Sequence, residues 1–272
     1  MTGSSQSGLA PESEFSPFSA GISARLQAAR VAQRQWAELS VQRRLQIIGR
    51  LRHRIAEQPA SLLDTLAGPE GERAQEALVA ELLPLADGCR FLQRAAEQLL
   101  APRPLGRRGR PAWLLGLDAE IHREPLGVVL VIGPNNYPLL LPGVPALQAL
   151  TAGNAVLVKP APNCSPPMKR LGGMLMEAGL PDGLFQVLDE TVGEASAAIA
   201  AGIDHVILTG SAATGRAVLR SLAQTITPAT LELSGNDAVF ILPGADLDLV
   251  AQALVFGLRF NAGATCIAPR RR

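Results

Sequence analysis

A chain of 272 residues, 47% of them hydrophobic, has enough apolar side chain for one large or two modest packed domains. Its formal net charge of +1 excludes an electrostatic case for nucleic acid or an anionic membrane surface as partner. Cys89, Cys164 and Cys266 are odd in number, far apart and free of Cys-x-x-Cys or Cys/His spacing. That pattern argues against a disulfide framework or a metal site and for reduced thiols in the cytoplasm.

Residues 1–18, "MTGSSQSGLAPESEFSPF", are polar and acidic where a secretory signal needs a basic start and an apolar run. They are expected to form a disordered tail. No later run would span a bilayer without Gly, Pro or charge breaking it. From Ser19 to Leu100 the pattern is helical: Val41, Leu45, Ile48, Leu51 and Ile55 recur at three- and four-residue steps. Ser40 is the expected N-cap, and the arginines of the opposite face are expected to be solvated. Pro84 should kink a long helix or start a new one. The segment "APRPLGRRGRP" (101–111) interleaves Gly and Pro with basic residues and no aromatics, as a connector does.

Beyond it, β-rich runs alternate with helical ones. Strands are predicted at Leu126–Gly133, Ala155–Pro160, Leu184–Leu188, His205–Gly210 and Ala229–Gly235, with helices such as "SPPMKRLGGMLMEAGL" and "AATGRAVLRSLAQ" between them. The expected fold class is α/β: an N-terminal helical layer, then an open, mostly parallel Rossmann-like sheet with helices on both faces. Ligands of such sheets sit beyond the C-terminal ends of the strands.

The unusual residues lie at those ends. "GPNNYP" follows the first strand, where the prolines and Asn pair either make a turn or aim an amide at a site. Lys159 ends the second strand, as a surface lysine or as a donor to ligand hydroxyls or phosphates. "TGSAATG" follows the fourth strand and opens a helix, so Gly210, Ser211 and Gly215 are candidates for approaching a phosphate. Glu232 ends the fifth strand, as a solvated carboxylate or as a base. Cys266, among the small residues of "NAGATC", is either a buried structural thiol or a presented nucleophile.

Together these segments, from the helices near Ser19 to the last residues, resemble the aldehyde dehydrogenase superfamily. The resemblance places the oxyanion-hole asparagine at Asn136 and the ribose-binding lysine at Lys159. It gives the pyrophosphate turn to Gly210 and Ser211 with Gly215, and the first turn of the cofactor site to Ile132, Gly133 and Pro134. Glu232 in "ELSG" matches the general base, with Ser234 where the family has glycine. Cys266 in "GATC" matches the nucleophile, with Ala264 where the family has glutamine, and Asn135 replaces a frequent aromatic. The cofactor implied is NAD or NADP. Many NAD-preferring relatives carry a glutamate three residues after the lysine, where this chain has Pro162.

The chemistry implied is oxidation of an aldehyde to an acid through a thiohemiacetal and a thioester on Cys266. Asn136 and the Cys266 N–H would hold the oxyanion, and Glu232 would deprotonate the hydrolytic water. A glutamate at that place favours hydrolysis over acyl transfer to coenzyme A or the reduction of acyl phosphates. The same resemblance divides the chain into a cofactor-binding domain at 19–235 and the start of a catalytic domain at 236–272. Family members continue past the nucleophile, so the catalytic domain is expected to be incomplete. The usual oligomerisation hairpin is absent, though a homo-oligomer remains open, and activity of the chain alone is expected to be impaired. The alternative is a non-catalytic nucleotide-binding or interaction protein.

Overall fold

The computed structural model describes residues 17–66, 74–106, 110–114 and 116–271. All but two residues of the expected tail lie outside this set, as do residues 107–109 of the connector. The chain opens with α1 (Pro17–Ala37), α2 (Val41–Glu57) and the short α3 (Pro59–Leu63). Ser40 caps α2, its hydroxyl accepting from Arg43 N–H at 3.3 Å. Leu45, Ile48, Leu51 and Ile55 are buried, as the periodicity requires.

The solvated arginine face, however, needs correction. Arg44 is buried against Gly153, whose φ of +94° and missing side chain make room for the guanidinium. Arg50 Nε donates to Ala178 O at 2.6 Å, and Arg54 donates to the Glu177 carbonyl at 2.9 Å. These carbonyls end α7 (Ser165–Glu177), where cations offset the helix dipole and satisfy orphan acceptors. The arginines therefore fasten one helix to the end of another.

A helix at Ala74–Ala77 (α4) runs through a π turn at Leu78–Leu82 into α5 (Leu83–Leu100). Pro84 sits in the first turn of α5, where its missing N–H costs least. Two short strands, β1 (Arg103–Pro104) within the connector and β2 (Glu120–Ile121) beyond it, pair antiparallel.

The predicted sheet follows. Its strands are β3 (Val128–Ile132), β4 (Ala155–Lys159), β5 (Phe185–Val187), β6 (His205–Thr209) and β7 (Ala229–Glu232), all parallel in the order β5-β4-β3-β6-β7. Every residue of β3 and β4 is buried, which is why both read as unbroken apolar runs rather than alternating ones. The crossover helices are α6 (Leu140–Thr151), α7, α8 (Val192–Ala200) and α9 (Ala212–Thr225). α6 and α7 pack with α2 and α5 on one face, and α8 and α9 with α1 on the other. Trp36 Nε1 reaches across from α1 to donate to Leu150 O at 2.7 Å.

After β7 come β8 (Asp237–Ala238), α10 (Leu247–Arg259) and β9 (Pro269–Arg271), with β8 and β9 paired. α10 buries none of its residues, and Phe256 and Leu249 on it are largely exposed.

One side chain joins the two layers at the start of the sheet. Asp204 accepts from Val128 N at 2.7 Å and from Arg30 of α1 at 2.8 Å. Its carboxylate fills the space where Gly127, at φ +122°, lacks a Cβ. Asp204→Ala leaves the Val128 N–H of a central strand unpaired and should cost about 2 kcal/mol. Urea denaturation of the variant beside the parent checks this, with Arg30→Ala expected to cost less.

Candidate active site

The sheet reverses its order of strand addition at β3, between β4 on one side and β6 on the other. Ligands of open parallel sheets settle at that switch point, beyond the strand ends. Here the register lines up Lys159, Ile132, Thr209 and Glu232 along one edge: Ile132 pairs with Lys159 and with Leu208, and Thr209 with Glu232. Three strand spacings separate Lys159 from Glu232, roughly 14 Å. That span suits an elongated dinucleotide better than a single small ligand.

The individual residues divide into framework and available groups. Ile132 is buried, so any contact with a ligand is through its backbone. Gly133 donates to Lys159 O at 3.0 Å, and a Cβ on it would meet Pro142 at 3.0 Å. Its bareness lets α6 start close to the strand. Gly210 N–H is bound to Glu232 O at 3.0 Å and Gly215 N–H to Ser211 O at 2.9 Å, so neither is left for a phosphate. A Cβ on Gly215 would meet Leu233 at 2.9 Å, so this glycine brings α9 against the segment after β7. Ser211 caps α9 by accepting from Thr214 N at 3.1 Å. The open N–H groups are those of Ala212 and Ala213, in the first turn of a 14-residue helix.

Lys159 is buried to all but 7% and makes no hydrogen bond to a described residue. Burial lowers its pKa, while the nearby Glu190 carboxylate opposes the shift. An ammonium left with its donors free in a half-dry setting is suited to the hydroxyls of a sugar. Glu190 itself accepts from Asn163 N and Ser165 N at 2.6 and 2.7 Å, and the first of these bonds is the main cause of its depressed pKa. Pro162 is exposed, three residues from Lys159.

A cleft of about 920 Å³ opens at the ends of β3, β6 and β7. Asn136, Glu232 and Cys266 all line it, as do Gly88 and Phe91 of α5 and Val144 of α6. Cys266 is exposed there, which removes the buried reading of this thiol. Asn136 Nδ2 donates to Ala264 O at 2.8 Å, two residues before the thiol, which leaves its second amide proton free. Asn261 Nδ2 donates back to Asn136 O at 2.9 Å, and Tyr137 OH bonds Thr265 Oγ1 at 2.6 Å. A Cβ on Gly235 would meet Cys266 O at 2.5 Å, so the segment after Glu232 also runs directly against the thiol's backbone. Ser234 and Ala264 both line the cleft, and Ala264 is tied in through its carbonyl, which accepts from Asn136, and its N–H, which donates to Asn261 O at 2.9 Å.

The sequence alone did not single out Tyr137, Asn261 or Thr265, nor the carboxylates Glu76 and Glu81 that bind this framework. A detectable signal existed for one of them: Glu81 lies in the apolar run "ALVAELLPL", where a carboxylate requires a partner.

The three thiols differ. Cys89 is fully buried, which pushes its pKa up to about 12. Cys164 is buried too, although it sits in a proline-rich turn, and desolvation with Glu190 and Glu81 nearby raises its pKa. At pH 8 about one Cys89 in ten thousand is thiolate. Iodoacetamide on folded protein should therefore label Cys266 well ahead of the other two, as read by peptide mapping. Dominant labelling of Cys164 would contradict this.

Comparison with known proteins places this architecture. Residues 19–272 match the Aldehyde dehydrogenase family. The 4,4'-diapolycopene aldehyde oxidase of a Methylomonas species is 34% identical over 250 residues, covering 92% of this chain and 47% of that protein. The dimeric NADP-preferring aldehyde dehydrogenase of Canis lupus familiaris is 29% identical over 248 residues, covering 91% and 54%. Among solved structures, the NAD+ complex of aldehyde dehydrogenase from Bacillus cereus superposes with a TM-score of 0.83 at 27% identity, covering 92% of this chain and 50% of that one. The chain spans about half the length of the relatives it matches. Its sheet order, the strand-end residues and the match over residues 19–272 make it a member of the aldehyde dehydrogenase family.

Proposed function

We propose that the protein oxidises an aldehyde to a carboxylic acid with NAD or NADP, with Cys266 as nucleophile. The convergence of Cys266, Asn136 and Glu232 on one cleft at the sheet's switch point carries this reading. Residues 19–235 serve as the cofactor-binding domain and 236–272 as the start of the catalytic one.

The residues fit a dinucleotide. Lys159 has free donors for the adenosine ribose, and the N–H groups of Ala212 and Ala213, at the positive end of α9, suit the pyrophosphate. Ile132, Gly133 and Pro134 form the backbone wall beside them, and Gly210, Ser211 and Gly215 hold α9 in place. The nicotinamide, when bound, supplies the hydride acceptor.

The protein's own groups do the rest. Cys266 thiolate adds to the aldehyde carbon, and the carbonyl oxygen becomes an oxyanion. The free Asn136 amide proton and the Cys266 backbone N–H donate to that oxygen; the latter has no backbone acceptor among the described residues. Loss of the hydride from the adduct leaves a thioester on Cys266. Glu232 takes a proton from water, the resulting hydroxide attacks the thioester carbon, and the acid leaves as the Cys266 sulfur regains its electron pair. The cleft walls around Phe91 and Val144 are apolar, which favours a hydrocarbon substituent on the aldehyde. Three unpaired thiols fit a reducing, cytoplasmic setting.

Aldehyde-dependent NAD(P)H formation by protein containing this chain tests the reading. Cys266→Ala should abolish it, and Asn136→Ala should lower the rate about 10²- to 10³-fold by removing one oxyanion donor. Turnover that survives Cys266→Ala refutes the assignment of the nucleophile, and parent protein that binds the cofactor without forming NAD(P)H favours a nucleotide-binding protein without this chemistry.

The cofactor makes a separate prediction. With Pro162 where a carboxylate would repel a 2′-phosphate, NADP should be tolerated at least as well as in the relatives that carry a glutamate there. Titration of both cofactors should show Pro162→Glu weakening NADP selectively. A strong NAD preference unchanged by that substitution counts against the argument.

A further inference from the structure

The α4–π–α5 helix carries two carboxylates, Glu76 and Glu81, that the chemistry above does not use. In an α-helix residues five apart point about 140° away from one another. The π turn changes this: Leu83 N–H bonds Leu78 O, five residues back, and the wider turn brings positions five apart onto one face. Glu76 and Glu81 accordingly line the same small cavity, about 230 Å³, beneath the Asn135–Pro138 turn.

Each grips a different piece of the site. Glu81 is buried to all but 5%, and its Oε2 accepts from Leu139 N at 2.7 Å and Leu140 N at 3.1 Å. These N–H groups open α6, so a carboxylate there offsets the helix dipole and satisfies otherwise orphaned donors, three residues after Asn136. Glu76 accepts from Asn261 N, at the point where Asn261, Ala262 and Gly263 take φ of 50°, 51° and 78° in succession. Such a run of left-handed residues costs energy and needs fixed partners. Asn261 in turn donates to Asn136 O, and Asn136 to Ala264 O, so the bonds form a continuous chain from Glu76 to the Cys266 loop.

We propose that Glu76 and Glu81 are positioning residues, Glu81 setting the Asn136 amide and Glu76 setting the Cys266 loop. This rests on the reading of Asn136 and Cys266 above. Neither carboxylate touches substrate; together they fix the separation between the nucleophile and the donor that must meet the oxyanion.

Two reagents separate these roles in protein containing this chain. With 4-nitrophenyl acetate, Cys266 sulfur bonds the acetyl carbon, the ester C–O bond breaks and 4-nitrophenolate leaves, by way of a carbonyl oxyanion. With iodoacetamide the same sulfur displaces iodide, and no oxyanion forms. Glu81→Ala should slow acylation about 10- to 100-fold while leaving alkylation unchanged. In an Asn136→Ala background it should cause no further loss, and Glu81→Gln, which retains an acceptor oxygen, should recover most of the rate. Glu76→Ala should slow both reactions.

Where Glu81→Ala does not fold, Glu81→Asp, which draws the carboxylate back by one methylene, must give the same selective loss. Acylation at the parent rate in Glu81→Ala or Glu81→Asp, alkylation at the parent rate in Glu76→Ala, or an undiminished Glu81→Ala effect in the Asn136→Ala background overturns the proposal. Acylation that survives Cys266→Ala overturns the reading of the nucleophile first, and the positioning role with it.

Discussion

A parallel sheet buried on both faces forces its strands to end along a single edge, and the site proposed for this protein depends on that edge. β3 and β4 have no solvated side, so their side chains serve packing up to the last residue, and only the residues at or just past each strand end are released for other work. Lys159, the Pro134–Asn136 turn, Gly210–Ser211 and Glu232 are all such residues. The in-register pairing of β4, β3, β6 and β7 then spaces them at fixed intervals, so a long ligand and a short reaction site share one frame.

A sheet edge alone does not make a site, because the thiol arrives from a distant part of the chain. Asn136 and Ala264 are 128 residues apart in sequence yet joined by a single hydrogen bond. Two more hydrogen bonds and the close approach of Gly235 to Cys266 complete the contact. Polar links of this kind lose much of their strength when one partner is removed, since the remaining group is left unpaired near the protein interior. The loop bearing Cys266 is thus held by directional bonds more than by apolar packing, in keeping with the exposure of α10 just before it.

The sheet could be read from the residues because its signals are local: short apolar runs, most of them closed by Gly or Pro, alternating with helical patterns. Asn136, Glu232 and Cys266 were legible for a related reason, since each sits at a strand end or in a short motif. What escaped were pairings that bring distant residues together. Nothing around Arg50 or Arg54 distinguishes a solvated face from one that fastens the end of α7, because the carbonyls they meet lie far along the chain. The turn holding Cys164 reads as exposed from its prolines and is buried only once the sheet and α7 close over it. The N–H groups of Gly210 and Gly215 turn out to be bound within the backbone, and what Gly215 provides is close approach to the segment after β7.

The π turn at Leu78–Leu82 has a consequence for how this protein can change over evolutionary time. A continuous α-helix locks the angular phase of every residue to every other, so rotating one end rotates the whole rod. The widened turn adds a fixed rotation between the two segments, so one rod aims two faces that a regular helix would set elsewhere. Upstream, Glu76 meets the Asn261 backbone; downstream, Gly88 and Phe91 face the cleft. A residue gained or lost within the turn would swing these two faces out of line with each other, which ties the length of this segment to the cleft it serves.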